Sequence, residues 1–262
     1  MLSGISSRIG KSLYGAVLAA LTVLGTVMVA PLGHAEVPVP EARGERAVSA
    51  TITVEGAMDG GLTRYYGEGE LGGGDQTEGQ PPIFELADGA TLRNVIIGAP
   101  AADGIHCLGS CTLRNVWWED VGEDAATFDA DYASATMTIR GGGAQYAADK
   151  VFQANGAGTM TISDFRVEDF GKLYRSCGNC SDQVDRHVVI DDVTATAPGD
   201  TLAGVNINYG DTAEFSGITI VGDSEMGICS WYEGTEGSGE PEQVGSGPGD
   251  NCRYDRSDIT FE

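Results

Sequence analysis

Lysine is nearly absent from this chain of 262 residues: Lys11, Lys150 and Lys172 are the only three. Histidine is as scarce, with His34, His106 and His187 alone. So few histidines give little support to Ser-His-Asp or histidine-based zinc catalysis. No glycine-rich phosphate loop of Walker or Rossmann form is present, and there is neither an EF-hand loop nor an RTX nonapeptide. Long helical periodicity is missing too, as are the signatures of leucine-rich and helix-pair repeats. Nucleotide-binding α/β folds and helical solenoids are thereby set aside.

Basic charge is short overall, with 15 Lys and Arg against 39 Asp and Glu, a net charge of −24. The start of the chain takes two of those cations. Arg8 and Lys11 precede an apolar run from about Leu13 to Ala30, and small residues lead up to Glu36. This is the layout of a secretory signal peptide over residues 1–35, cleaved after Ala35. Without Arg8 and Lys11 the net charge falls from −24 to −26. A field of that sign repels nucleic acid and, once the leader is gone, anionic membranes. The expected localisation is therefore secreted and extracellular.

Six cysteines fit that compartment: 107, 111, 177, 180, 229 and 252. Local disulfides Cys107–Cys111, Cys177–Cys180 and Cys229–Cys252 are the simplest pairing, although composition alone leaves the connectivity open. A zinc site from the two close pairs is the rival.

What the chain does have is short β-branched runs separated by Gly, Asn and Asp. "TLRNVIIGA" (91–99) returns 21 residues later as "TLRNVWWED" (112–120), and "TMTIRGG" (136–142) is echoed 23 residues on by "TMTISDF" (159–165). Strand-like runs follow at 186–197 and 213–223. This period predicts a solenoid with one coil per repeat, a parallel β-helix over residues 49–262, with a sandwich or jelly roll as the lesser alternative. Residues 36–48, charged and proline-bearing, are expected to be a linker or pro-segment. The stretch 230–250 is too rich in Gly, Glu and Pro for a core strand. It should form a surface loop pinned by Cys229 and Cys252. Of the adjacent Trp117 and Trp118, a strand lets only one face the core.

In a solenoid, residues one period apart stack about 4.8 Å from each other. Lys150 and Lys172, 22 apart, would form a cationic ladder with Arg175 three residues beyond it. Such crowding should lower at least one lysine pKa, which suits a general base. Glu123 and Asp124 follow Asp103 by 20 and 21 residues. Carboxylates converging in this way would repel unless a hard cation such as calcium lay among them.

"NVIIGAPAADGIHCLGSCTLRNVWWEDVGEDAATF", "ADKVFQANGAGTMTI" and "VEDFGKLYRSCGNC" closely resemble the pectate lyases of polysaccharide lyase family 3, a likeness that extends to "GVNINYGDTA" and "ICSWY". The resemblance implies a right-handed, single-stranded parallel β-helix, secreted and monomeric. It also implies an enzyme that uses Ca2+ to cleave α-1,4-linked polygalacturonate by β-elimination, leaving 4,5-unsaturated oligogalacturonides. Asp103, Glu123 and Asp124 match the family's calcium ligands. Lys150, Lys172 and Arg175 match its basic active-site residues, with Lys150 the base. Glu78 matches a cleft acid. Pro81 and Asp129 stand where some relatives carry a basic residue. Two other functions stay open: a polygalacturonase-type hydrolase using paired acids, and a non-catalytic pectin- or calcium-binding β-helix.

Overall fold

Runs of Val, Ile, Leu and Thr broken every few residues by Gly, Asn or Asp favour short extended segments over helix. In the computed structural model, which describes residues 37–262, they form 17 strands hydrogen-bonded into one continuous sheet. The expected signal peptide lies outside the described residues. Among the described strands every ladder is parallel except one, in which Gly227–Glu233 pairs antiparallel with Glu242–Ser246. A sandwich is excluded by that pairing, because its sheets are antiparallel. The chain is a parallel β-helix.

The literal repeat is explained by the register. Leu92 pairs with Leu113 and Val95 with Val116, all pointing inward and buried. Between them the backbone turns a corner at Asn94 and Asn115, both with φ of +52°. The same corner continues through Gly141, Asp164, Asp192 and Gly217, all at positive φ. Asn, Asp and Gly are the residues that adopt this left-handed conformation most readily. A stack forms along the corner: Asn115 Nδ2 donates to Asn94 Oδ1 at 2.8 Å, and Trp117 Nε1 donates to Asn115 Oδ1 at 2.7 Å.

A second stack carries the face of interest. Phe84, Ile105, Ala126, Phe152, Tyr174, Ala203 and Cys229 occupy successive rungs and point inward. They are fully buried or nearly so. The neighbouring positions point outward: Glu85, His106, Thr127, Gln153, Arg175, Gly204 and Ser230. In the core Phe152 meets Phe165 at 5.3 Å and Trp118 at 5.9 Å between ring centroids. All three local disulfides are present, and no described cysteine is free, which removes the thiolate-zinc alternative.

Two expectations need correction. Residues 36–48 are not a linker from Val37 onward: Gly44–Val48 pairs with the strand Ala57–Gly67 and extends the sheet. Val37 packs on Ile96 and Trp117, with Val39, Ala42 and Leu62 alongside. That cover buries the outward-facing tryptophan, while Trp118 enters the main core. The composition hid this, because two valines alternating with prolines suffice to cap a small apolar patch. The stretch 230–250 is also not all loop. It starts on a parallel rung of the helix, where Ser230, Trp231 and Tyr232 pair with Gly204, Val205 and Asn206.

Candidate active site

Outward positions on this second face alternate with the buried ones, so the cleft follows from the strand period of two. Three residues before each of His106, Thr127, Gln153 and Arg175 stand Asp103, Asp124, Lys150 and Lys172. Lys150 is paired in register with Lys172. Along the coil axis the face therefore reads acid, acid, lysine, lysine. It lines two adjoining depressions of about 480 and 420 Å³ that share Glu78, Lys150, Gln153 and Asn179. All seven residues expected at the site line this one cleft.

The acidic end consists of Asp103, Glu123 and Asp124, which are 7%, 6% and 4% exposed. One carboxylate oxygen from each lies within 4.8 Å of the others. Burial first, and then Asp103 and Glu78, push the Glu123 carboxyl up to about 8. Burial, reinforced by Asp103 and opposed by Lys150, pushes Asp124 up to about 7. Asp103 Oδ1, Glu123 Oε2 and Asp124 Oδ1 are buried with no hydrogen-bond donor. Asp124 Oδ1 has only the Lys150 ammonium at 3.5 Å, an ion pair too long for a hydrogen bond. Three crowded, buried oxygens without donors, all hard ligands, fit a divalent cation of the calcium type. His106 Nε2 braces Asp103 Oδ2 at 2.7 Å. Glu78 hangs over this end on a loop that Gln76 ties down by donating to Gly122 O at 2.7 Å.

At the basic end, Lys150 does not show the expected depression. Asp149 sits between the two ammonium groups, 2.9 Å from Lys150 Nζ and 3.1 Å from Lys172 Nζ. Burial alone would lower the Lys150 pKa, but Asp124 and Asp149 together hold it above the ordinary lysine value. Repulsion between the ladder's cations is thus screened by an acid that sequence reasoning overlooked. Arg175 is 6% exposed, and its guanidinium carbon lies 4.0 Å from the centre of the Tyr232 ring. Burial lowers its pKa without discharging it.

Gln153, Thr127 and Tyr232 were missed as well. The first two sit three residues after Lys150 and Asp124 respectively, the offset that separates Arg175 from Lys172, so spacing could have found them. Tyr232 comes from the composition-biased stretch, which carried no strand signal.

Fold and cleft together define a β-helical enzyme with a groove of mixed charge. Residues 36–239 match the pectate lyase family. The chain is 46% identical over 222 residues to probable pectate lyase D of Emericella nidulans, covering 83% of this chain and 82% of that protein. It is 47% identical to pectate lyase H of the same organism over 83% of each. Among solved structures, the catalytic domain of pectate lyase PelI from Erwinia chrysanthemi superposes with a TM-score of 0.71 at 35% identity. The match covers 83% of this chain and all of that domain. PelI in complex with tetragalacturonic acid is also similar, with a TM-score of 0.69 at 34% identity, over 82% of this chain and 70% of that one. The chain belongs to the pectate lyase family, polysaccharide lyase family 3, and is a pectate lyase.

Proposed function

We propose that the enzyme is secreted, requires calcium, and cleaves de-esterified polygalacturonate by β-elimination, with Lys150 as the base. One observation carries this reading: Lys150 stands at the junction of the cleft, against Asp124 on one side and in register with Lys172 on the other.

The substrate is a polyanion and the protein carries −26 without its leader, so local charge must outweigh the general field. Charges beyond a Debye length of about 8 Å are largely screened at physiological salt, whereas a pair at 4 Å in a partly buried site interacts by about 4 kcal/mol. Lys172 and Arg175 are close enough to the groove to bind uronate carboxylates on those terms. Asp103, Glu123 and Asp124 would hold calcium. Bound there, it would stabilise the charge that builds on the carboxylate of the reacting sugar and offset the acids that keep Lys150 protonated. Lys150, once neutral, removes the proton from C5. The electron pair moves into the C4–C5 bond as the C4–O bond breaks, and the leaving oxygen takes a proton. Glu78 overhangs the junction and is suited to that last role. Since the base is an amine held protonated in the free cleft, activity should rise toward alkaline pH.

Incubation with polygalacturonate and calcium should produce the ultraviolet absorbance of an unsaturated uronate, and a chelator should abolish it. New reducing ends without that absorbance would overturn elimination in favour of hydrolysis by Glu123 and Asp124.

A further inference from the structure

Arg175 is held asymmetrically. Its Nη1 donates to Ser176 O at 2.6 Å and to Asn206 Oδ1 at 2.9 Å, with Gly204 O at 3.4 Å. Its Nη2 is buried and has no acceptor, and among the described residues none is bonded to Nε. In a guanidinium, Nη1 lies on the Cδ side, while Nε and Nη2 share the opposite edge and form a two-pronged fork for a carboxylate. The tethers fix Nη1 and leave the other N–H groups of the guanidinium without an acceptor. Tyr232 covers one face of the plane and restricts its tilt.

Asn206 is built for this task. It is fully buried, and its Nδ2 donates to Cys177 O at 2.9 Å, which leaves Oδ1 turned to Arg175. Its backbone N–H is held by Asp211 Oδ2 at 3.0 Å. Asp211, fully buried too, uses Oδ1 to accept from the Arg186 N–H at 2.9 Å. The segment 206–211 reaches this arrangement through a single 3-10 turn, Ile207–Tyr209, reversed at Gly210 with φ of +81°. An aspartate in place of Asn206 would also accept from Nη1, but it would neutralise the cation. A neutral amide fixes the guanidinium and leaves its charge for the ligand.

We propose that Asn206 is a positioning residue for Arg175, holding Nη1 so that the guanidinium keeps its place and its charge at the wall of the cleft that receives a uronate carboxylate of the substrate. This rests on the reading of Arg175 as a carboxylate-binding residue. A double-mutant cycle on the full mature enzyme tests it, with Asn206→Leu and Arg175→Lys assayed alone and together on polygalacturonate. Asn206→Leu should raise KM more than it lowers kcat and reduce kcat/KM by about tenfold or more, the scale of one hydrogen bond to a charged group. In the Arg175→Lys background the same change should matter by less than about threefold, because the group it positions is already gone. Multiplying effects would mean that Asn206 acts by supporting the fold at large, and wild-type kinetics for Asn206→Leu would mean that it positions nothing. Either result overturns the proposal. If Arg175→Lys alone leaves kcat/KM unchanged, the underlying reading of Arg175 fails instead. Should Asn206→Leu not fold, Asn206→Ser, whose oxygen is too short to reach Nη1, takes its place in the cycle under the same criteria.

Discussion

Two stacks of this solenoid repeat with the same period and look quite different in sequence. The corner stack reads Asn94, Asn115, Gly141, Asp164, Asp192, Gly217, a narrow choice of residues that tolerate positive φ. The cleft stack reads Asp103, Asp124, Lys150, Lys172, in which charge reverses halfway along. At the corner every coil solves one steric problem, so residue identity recurs and "TLRNV" appears twice. In the cleft, on the function proposed above, each rung would have its own task on a single ligand, and only spacing recurs. On that reading a repeat in letters marks scaffold here, and a repeat in position alone marks chemistry.

The sharpest way to separate the two is to remove the base. Lys150→Ala should cut turnover by about 10² to 10⁴, the range typical of general acid–base groups, while melting temperature and calcium binding stay close to wild type. Retained turnover would move the base to Lys172 or Arg175. Two residues along the same strand, Phe152 points inward against Trp118 and Phe165. Phe152→Ala should destabilise the protein by about 3–5 kcal/mol in denaturant titrations, and the folded fraction should keep a near-normal kcat. If kcat collapses in step with stability, core and cleft are not the separable layers that the alternation implies.

That alternation decides what could be read in advance. The β-helix and the convergence of Asp103, Glu123, Asp124, Lys150, Lys172 and Arg175 were legible, because stacking turns a sequence separation of about 20 to 26 into a neighbour. The disulfides followed from local pairing of an even cysteine count, and Glu78, on a loop outside the ladders, came only from the family resemblance. Asp149 was not, since an acid beside Lys150 looks like any of the 39 in the chain until the second lysine is seen across it. Val37 was not, because its partners Ile96 and Trp117 lie far along the chain and belong to the outer side of the coil. Asn206 and Tyr232 act on Arg175 from the following rung, through a turn and an antiparallel hairpin that interrupt the period.

A milder probe sets the acidic end of the cleft against the corner. Glu123 and Asp124 have carboxyls raised to about 8 and about 7 and must release protons to hold a cation. Calcium affinity should therefore fall as pH drops from about 8 toward 6, by up to about tenfold per pH unit for each proton displaced, as calorimetry would measure. The sign of the stability effect is opposite without metal. Between about pH 4 and 8 the folded acids keep protons that the unfolded chain releases, so in chelator the melting temperature should decline as pH rises. With calcium present the decline should vanish or reverse. Identical melting profiles with and without calcium would argue against these three acids as the metal site.

The smallest effect concerns the corner itself. Asn115 combines a left-handed backbone with bonds to Asn94 and Trp117, and replacement separates these contributions. Asn115→Gly removes the side-chain bonds but accepts φ of +52° freely. Asn115→Ala loses the same bonds and must also place a Cβ in a conformation that disfavours it by about 1–2 kcal/mol. Alanine should thus be the worse substitution by about 1 kcal/mol, a difference of about 2–4 °C in melting temperature for a chain of this size. Neither variant should change kcat/KM below its melting range, because the corner lies outside the cleft. Equal melting temperatures for the two would mean that the corner's recurring Asn and Asp serve the side-chain stack alone, and that the backbone angle does not select them.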